Sequence, residues 1–208
     1  MPTTLPPLLE SGDRLTRAEF HRRYRAHPEI KKAELVEGVV YVASPVRADV
    51  HGIPHSRIMT WLGTYQARHP ELDLADNTTV YLDADNEVQP DACLWRSEPG
   101  GPHLTDDGYV EGAPQLVVEV AASSASYDLH DKLRAYRRNG VLEYVVWRTL
   151  DGAIDWRRLR EGDYVQVEPD ERGVIESEVF PGLRLHVAKM LADDLAGVLA
   201  DLDQPASD

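Results

Sequence analysis

One carboxylate interrupts an apolar run of the sequence. Glu119 stands inside the segment Leu116–Ala121, whose other residues are all aliphatic. Burying a carboxylate among aliphatic side chains is unfavourable unless a cation or hydrogen-bond donors meet it. A partner for Glu119 is therefore expected from another part of the fold.

The helix predicted after this strand, at about 126–139, supplies a lysine at a suitable position. A strand rises about 3.3 Å per residue and a helix about 1.5 Å. Glu119 lies about 6.6 Å before the end of the strand, and Lys132 lies a similar distance along the helix that folds back over it. Lys132 stands at the border of the helix's apolar stripe, so its ammonium group can reach Glu119. A buried ion pair with a purely structural role explains the same pattern.

Two further acidic residues can join this pair. Asp91 follows Pro90 in a strand predicted at about 88–95, and the alternation of that strand gives its carboxylate a defined face. If the strand neighbours that of Glu119, the two carboxylates can share a divalent cation. Glu34 stands at the start of the first predicted hairpin and can complete the set. Taken alone, Asp91 also fits an aspartate at a turn or sheet edge, and Glu34 a solvated strand residue.

Carboxylates, a divalent cation and a lysine together are suited to phosphodiester hydrolysis. Mg²⁺ favours one or two carboxylates, with water and phosphate oxygens as its other ligands. The metal acts as a Lewis acid and generates hydroxide, while a lysine can hold the attacking water or stabilise charge at phosphorus. The sequence predicts Mg²⁺ (or Mn²⁺) bound by Asp91 and Glu119. Lys132 is the predicted activator, and Glu34 is a further catalytic candidate.

Four other polar residues are candidates for contacting the substrate or supporting these groups: His51, His55, Gln89 and Arg134. The spacing of His51 and His55 is compatible with metal ligands, but Gly52 and Pro54 disfavour regular helix there and no HExxH pattern is present. A helix entrance or capping region explains the two histidines more simply. The segment "SSAS" at 123–126 lacks the GxSxG elbow of nucleophilic serines, and helix capping explains it better.

The elements that position these groups predict a single α/β domain. Capping and periodicity indicate a first helix from near Thr16 to before Pro28 and a second helix from Pro54 to before His69. Turn residues and alternation indicate hairpins at 33–43 and at 78–95, and the segment 97–114 is predicted to be a long loop.

The second half of the chain supplies the centre of the predicted sheet. A strand at 116–121, the helix at 126–139 and a strand at 143–147 form a strand–helix–strand unit, which implies a parallel pair with a right-handed crossover. An antiparallel meander follows, and then an amphipathic helix from about residue 188. The predicted fold is a mixed sheet with a central parallel βαβ unit, flanking helices and the meander.

Length and composition support one domain. A chain of 208 residues, 42% of them apolar and 28% charged, can bury a single core. We assign residues 1–14 to a flexible N-terminal arm, 15–200 to the domain and 201–208 to an acidic tail. No apolar run can span a bilayer, no secretion signal is evident and Cys93 is the only cysteine, so we expect a cytoplasmic protein without membrane contacts.

The charge of the chain bears on its partners. The formal net charge is −14, whereas nucleic-acid-binding proteins usually carry a basic face. Basic residues are nevertheless concentrated in the runs "HRRYR", "KLRAYRR" and "WRRLR". Arg134 belongs to the second run, where it fits either a phosphate contact or a solvated helix face. Global charge argues mildly against nucleic acid, and local charge leaves DNA open as a partner.

Several ordered blocks of the sequence resemble the Uma2 family of restriction-endonuclease-like proteins. They are "AELVEG", "SPVRADVHGIPHSRI", "VQPDACLW", "GAPQLVVEVAASSASYDLHDKLRAYRRNGVLEYVVW" and "FPGLRL", and they cover about residues 15–190. The resemblance implies the fold of the PD-(D/E)XK nucleases, with Asp91 as the aspartate of the PD motif and Glu119 as its second acid. The superfamily pattern places a lysine two residues later, at the position of Ala121. In Uma2-like sequences this lysine is on the following helix, which implies Lys132, and Glu34 matches an extra acid of the family.

Three functions remain open from the sequence. The first is a metal-dependent endonuclease acting on DNA. The second is a catalytically silent module on the same fold that binds nucleic acid or protein, and the third is a metal-dependent hydrolase of a small phosphorylated substrate. A homodimer is expected under the first, because cutting both strands of a duplex often requires two active sites.

Overall fold

The computed structural model of the protein describes residues 5–122 and 127–202. The strands in chain order are β1 (Ala33–Val36), β2 (Val39–Val42), β3 (Leu72–Asp76), β4 (Val80–Asp83), β5 (Asn86–Val88), β6 (Ala92–Arg96), β7 (His103–Leu104), β8 (Val110–Glu111), β9 (Leu116–Ala121), β10 (Glu143–Arg148), β11 (Ala153–Arg160), β12 (Asp163–Val167), β13 (Val174–Glu176) and β14 (Arg184–His186).

The helices are α1 (Arg17–Ala26), α2 (Ile53–Gln66), α3 (Leu133–Asn139), α4 (Val187–Leu191) and α5 (Leu195–Asp201). Single π-helical turns, Ala48–Gly52 and Asp128–Lys132, lead into α2 and α3. Within the described part of the chain, no helix is long and apolar enough to cross a membrane.

The strands form two larger sheets and one small sheet. The first sheet has the order β2-β1-β5-β4-β8-β7, and the second has the order β12-β11-β10-β9-β6-β3. Strands β13 and β14 pair with each other. This is the mixed α/β architecture that the sequence predicts, although its strands are divided between sheets.

The predicted parallel unit lies at the centre of the second sheet. Strands β9 and β10 pair in parallel, with Glu119 opposite Val146. One face of these strands packs against α2 through Trp61 and Leu62. The other face packs against α3, including Tyr136, and against the first sheet. Helices therefore cover both faces, as expected for buried parallel strands.

The prediction of a single second strand in the second hairpin is wrong. The segment 88–95 is two strands, since β5 ends in the first sheet and β6 begins in the second. Pro90 lies at this crossing, where it has no N–H to donate to a ladder. Asp91 is consequently located at the junction between the two sheets.

Three other expectations also need correction. The segment 97–114 is not only a loop, because β7 and β8 extend the first sheet from β4. Strand β3 was not predicted, and it pairs with β6. The helix expected from residue 188 is two short helices, because Asp193 adopts a positive φ of 65° and Asp194 caps α5 by accepting a hydrogen bond from the Gly197 N–H.

The remaining expectations lie partly outside the described residues. The predicted helix capping by 123–126 falls outside them, as do residues 1–4 of the arm and 203–208 of the tail. The described end of the arm contacts the first sheet: Leu9 is buried, and the Gly12 N–H donates to the Val40 carbonyl at 2.9 Å.

The turn after α3 gives a test of how the parallel unit is closed. Gly140 ends the helix with a φ of 84°, and no described atom lies within 4 Å of a Cβ placed there. We expect Gly140→Ala to lower the free energy of unfolding by about 1–2 kcal/mol, because an L-residue is strained in the left-handed region. Urea denaturation monitored by circular dichroism measures the change.

Gly52 provides the matched control, because its Cβ would also meet open space while its φ is −61°. Gly52→Ala should raise the free energy of unfolding by about 0.4–1 kcal/mol through the unfolded state. Equal effects of the two substitutions would contradict the assignment of strain to Gly140.

Candidate active site

Glu119 has the partner that its apolar surroundings require. The Lys132 Nζ lies 2.8 Å from the Glu119 Oε1, and the Tyr136 hydroxyl donates to the same oxygen at 2.9 Å. Glu119 and Lys132 are 3% and 2% exposed. Lysine and tyrosine occupy successive turns on the same side of the π turn and α3, so one side of this segment supplies both donors.

Lys132 also contacts the first sheet. Its Nζ lies 2.9 Å from the Oε1 of Glu34, which is on β1. The same Glu34 oxygen accepts the backbone N–H of Gln89 at 2.7 Å. One ammonium group therefore joins carboxylates from both large sheets.

Asp91 is brought to the same face as Glu119. The antiparallel pairing of β6 and β9 sets Ala92 opposite Val118, so continuing the register by one residue sets Asp91 opposite Glu119. Residues directly opposite each other in a sheet point to the same face. The Asp91 Oδ2 accepts the Val120 N–H at 2.8 Å, which fixes the orientation of this carboxylate.

Sequence reasoning missed a second lysine at the site. The Lys32 Nζ lies 3.2 Å from the Asp91 Oδ1 and donates to the Asn77 side chain at 3.1 Å. The one available signal was that Lys32 precedes Glu34 by two residues, which places both side chains on one face of an extended segment. That signal does not identify Asp91 as the partner, because the contact joins the residue before β1 of the first sheet to the residue before β6 of the second sheet.

The charges around Asp91 control its ionisation. Burial raises the pKa of Asp91. Lys32, His51 and the Val120 N–H lower this pKa by more than burial raises it, so it lies below the ordinary value. Burial lowers the pKa of Lys32, but Glu34 and Asp91 outweigh this and raise it. Both groups are therefore charged at neutral pH.

The predicted histidines lie next to Asp91. The His51 Nε2 is 3.5 Å from the Asp91 Oδ1, and its Nδ1 is 2.9 Å from the Val120 carbonyl oxygen. The His55 Nε2 lies 2.9 Å from the Asp91 carbonyl oxygen and 3.2 Å from the Asp76 carboxylate. Both histidines lie at the start of α2. Their position at a helix entrance is therefore compatible with their contacts at the site.

The other two candidates are placed differently. Gln89 contributes its backbone N–H to Glu34, while its side-chain amide donates to Tyr24 and Thr79, each at 3.1 Å. Arg134 lies on the exposed side of α3 and pairs with Asp131. The structure therefore brings Gln89 to the site through its backbone, and it places Arg134 on the solvated face.

The charged side chains of the site line one cavity of about 360 Å³. They are Glu34, Asp91, Glu119, Lys132 and Lys32. Within residues 5–122 and 127–202, no group of three or more histidine, cysteine or acidic side chains is arranged to hold a metal. Asp91 and Glu119 are two carboxylates on one face of the second sheet, and their chemistry suits Mg²⁺, which takes one or two carboxylates and completes its shell with water and phosphate oxygens.

Comparison with known proteins agrees with this architecture. A crystal structure described as a putative nuclease belonging to DUF820 from Anabaena variabilis ATCC 29413 is similar with a TM-score of 0.59. The similarity covers 77% of this chain and 89% of that chain at 12% sequence identity, so it shows a shared fold. No similar sequence was found among curated proteins.

The sequence also matches a family model over residues 17–188, which include the two sheets' central strands and every charged residue that lines the cavity. That family is described as Uma2, putative restriction endonuclease. The chain belongs to the Uma2 family.

Proposed function

We propose that the protein is a metal-dependent endonuclease that hydrolyses phosphodiester bonds of DNA, with Asp91 and Glu119 holding Mg²⁺ or Mn²⁺. The observation that supports this most is the contact of Lys132 with Glu119 at 2.8 Å. It supplies, from the following helix, the cation that the strand lacks at Ala121. Family membership supports the nuclease class.

The protein's own groups suit charge stabilisation at a phosphate. A bound metal ion supplies Lewis acidity and lowers the pKa of water. Lys132 is held by Glu119 and Glu34, so its ammonium group is fixed at the cavity wall before substrate arrives. A cation fixed in a site of low water content stabilises negative charge that develops in the transition state. The Tyr136 hydroxyl donates to the Glu119 carboxylate and so helps to fix its orientation.

Lys32 has a supporting role in this proposal. It holds Asp91 in its charged form, which is the form that binds a cation. The homodimer and the cytoplasmic location expected from the sequence remain predictions.

One observation favours the alternative of a catalytically silent module. Glu34, Asp91 and Glu119 each already contact a lysine. A purely structural network would have the same contacts, and substitution of these residues distinguishes the two functions.

Removing either metal-binding carboxylate should abolish hydrolysis. We expect Asp91→Ala and Glu119→Ala to lose cleavage of both supercoiled plasmid and circular single-stranded DNA in Mg²⁺ or Mn²⁺, because each removes a proposed ligand. Agarose gels measure the products. Glu71→Ala is the control and should cut as wild type does, because it removes a half-exposed carboxylate beside Arg96, at the end of β6 opposite to Asp91.

An inactive wild type on both DNA forms, or full activity in both alanine variants, would rule the proposal out. Circular dichroism of the variants separates lost chemistry from lost folding, since removal of one member of a buried ion pair also lowers stability.

Lys132 gives the sharpest separation between enzyme and silent module. Lys132→Met keeps the length of the side chain and removes its charge, so we expect cleavage to fall by about 10²-fold or more, the usual effect of losing one electrostatic donor. Lys132→Arg keeps the charge and should retain more activity than Lys132→Met. Folded Lys132→Met with wild-type cleavage rates would favour the silent role for this lysine.

The pH dependence tests Lys32. Its charge depresses the pKa of Asp91, so the carboxylate stays ionised as pH falls until the lowered pKa is reached. We expect Lys32→Met to raise the pKa of Asp91 and move the acid limb of the pH–rate profile to higher pH. Lys189→Met, which removes a lysine that pairs with Asp201 at 2.9 Å and lines neither this cavity nor the one beside it, should leave the acid limb in place. An unmoved acid limb in Lys32→Met would exclude this role.

A further inference from the structure

The catalytic cavity continues into a second one. The adjoining cavity has a volume of about 640 Å³ and shares Lys32, His51 and the segment 42–46 with the first. We call the two together the substrate groove. Asp91 and Glu119 are only 2% and 3% exposed, so a phosphate must enter this groove to reach them.

The walls of the substrate groove are largely apolar and aromatic. Beside the catalytic lysine, the rings of Tyr41 and Tyr127 lie with centroids 4.1 Å apart and planes 35° apart. The segment 42–46 forms a further wall, and Val46 there is 68% exposed. Aromatic rings of this kind offer faces on which bases stack, whatever their sequence.

The charge of the groove does not suit a duplex backbone. Duplex DNA is bound chiefly by cations that neutralise many phosphates on its outer surface. Three of the four lysine and arginine side chains that line the groove are in ion pairs: Lys32 with Asp91, Lys132 with Glu119, and Arg47 with Asp49 at 2.5 Å. The fourth, Lys31, contacts the Pro28 carbonyl. The chain as a whole carries a net charge of −14.

We propose that the substrate of this site is single-stranded DNA, or an unpaired stretch within a duplex; this rests on the proposed nuclease function. A single strand can enter a groove and place a phosphate beside the buried carboxylates, whereas a duplex holds its phosphates on the outside of a stiff cylinder. The base next to that phosphate stacks against the wall that Tyr41 and Tyr127 form.

The test compares binding of one labelled oligonucleotide of about 12 nucleotides as a single strand and as a blunt duplex. Fluorescence anisotropy is measured with Ca²⁺, which prefers the same oxygen ligands, and a gel checks that the DNA stays intact. We expect the single strand to bind at least about tenfold more tightly. Tyr41→Leu should weaken single-strand binding about tenfold, in the range for loss of one base–aromatic stack.

Two variants control for the ring itself. Tyr41→Phe keeps the ring and loses only the hydroxyl that donates to Asp131, so it should bind nearly as wild type does. Tyr109→Leu removes a tyrosine that packs on His21 and Tyr81, outside the groove, and should leave binding unchanged.

Four results would overturn the inference: equal or tighter binding of the duplex, no detectable binding of the single strand, no effect of Tyr41→Leu, or competition by thymidine monophosphate as strong as that by the oligonucleotide. The last result would indicate a small phosphorylated substrate. Cleavage in Mg²⁺ is scored separately. Tight single-strand binding without cleavage would contradict the nuclease proposal and leave the single-strand inference standing. Preferred binding and cutting of duplex would contradict the single-strand inference and leave the nuclease proposal standing.

Discussion

The contact of one buried lysine with two carboxylates holds the site together. Lys132 leads into α3, Glu119 is on a strand of the second sheet and Glu34 is on a strand of the first. Buried ion pairs add little net stability, because desolvation offsets their attraction, but a missing partner leaves an uncompensated charge that is costly. Packing arrangements of the three elements that separate these charges are therefore unfavourable, and the arrangement that keeps all three in contact is preferred.

A second constraint comes from the chain between β5 and β6. Pro90 cannot donate to a ladder, so the strand pattern breaks there and the chain moves from one sheet to the other. Asp91 follows the break and meets both the Val120 N–H of the second sheet and the Lys32 that precedes β1. The proline that interrupts strand pairing thus also places the carboxylate of Asp91 between the two sheets.

These two constraints also explain which features the sequence could predict. The reach of Lys132 to Glu119 follows from the rise of a strand and of the helical segment that folds back over it, so local geometry was sufficient. The contact of Lys32 with Asp91 joins the residues that precede β1 and β6, which lie in different sheets and far apart in the chain, so no local pattern encodes it. Strand β3 was missed because its alternation is short and includes Asp73 and Asp76, which are uncommon in strands.

Under the proposed nuclease function, the balance of charge at the site would allow a strongly acidic chain to act on a polyanion. The carboxylates of Glu34, Asp91 and Glu119 face the ammonium groups of Lys32 and Lys132. Three negative and two positive charges leave one negative charge, which repels phosphate. One bound divalent cation would reverse the sign to one positive charge. In a poorly hydrated cavity this local charge would act more strongly than distant surface carboxylates, which salt screens. Under that function, attraction of a phosphate would depend on the metal, and the acidic surface would disfavour binding of a polyanion elsewhere on the protein.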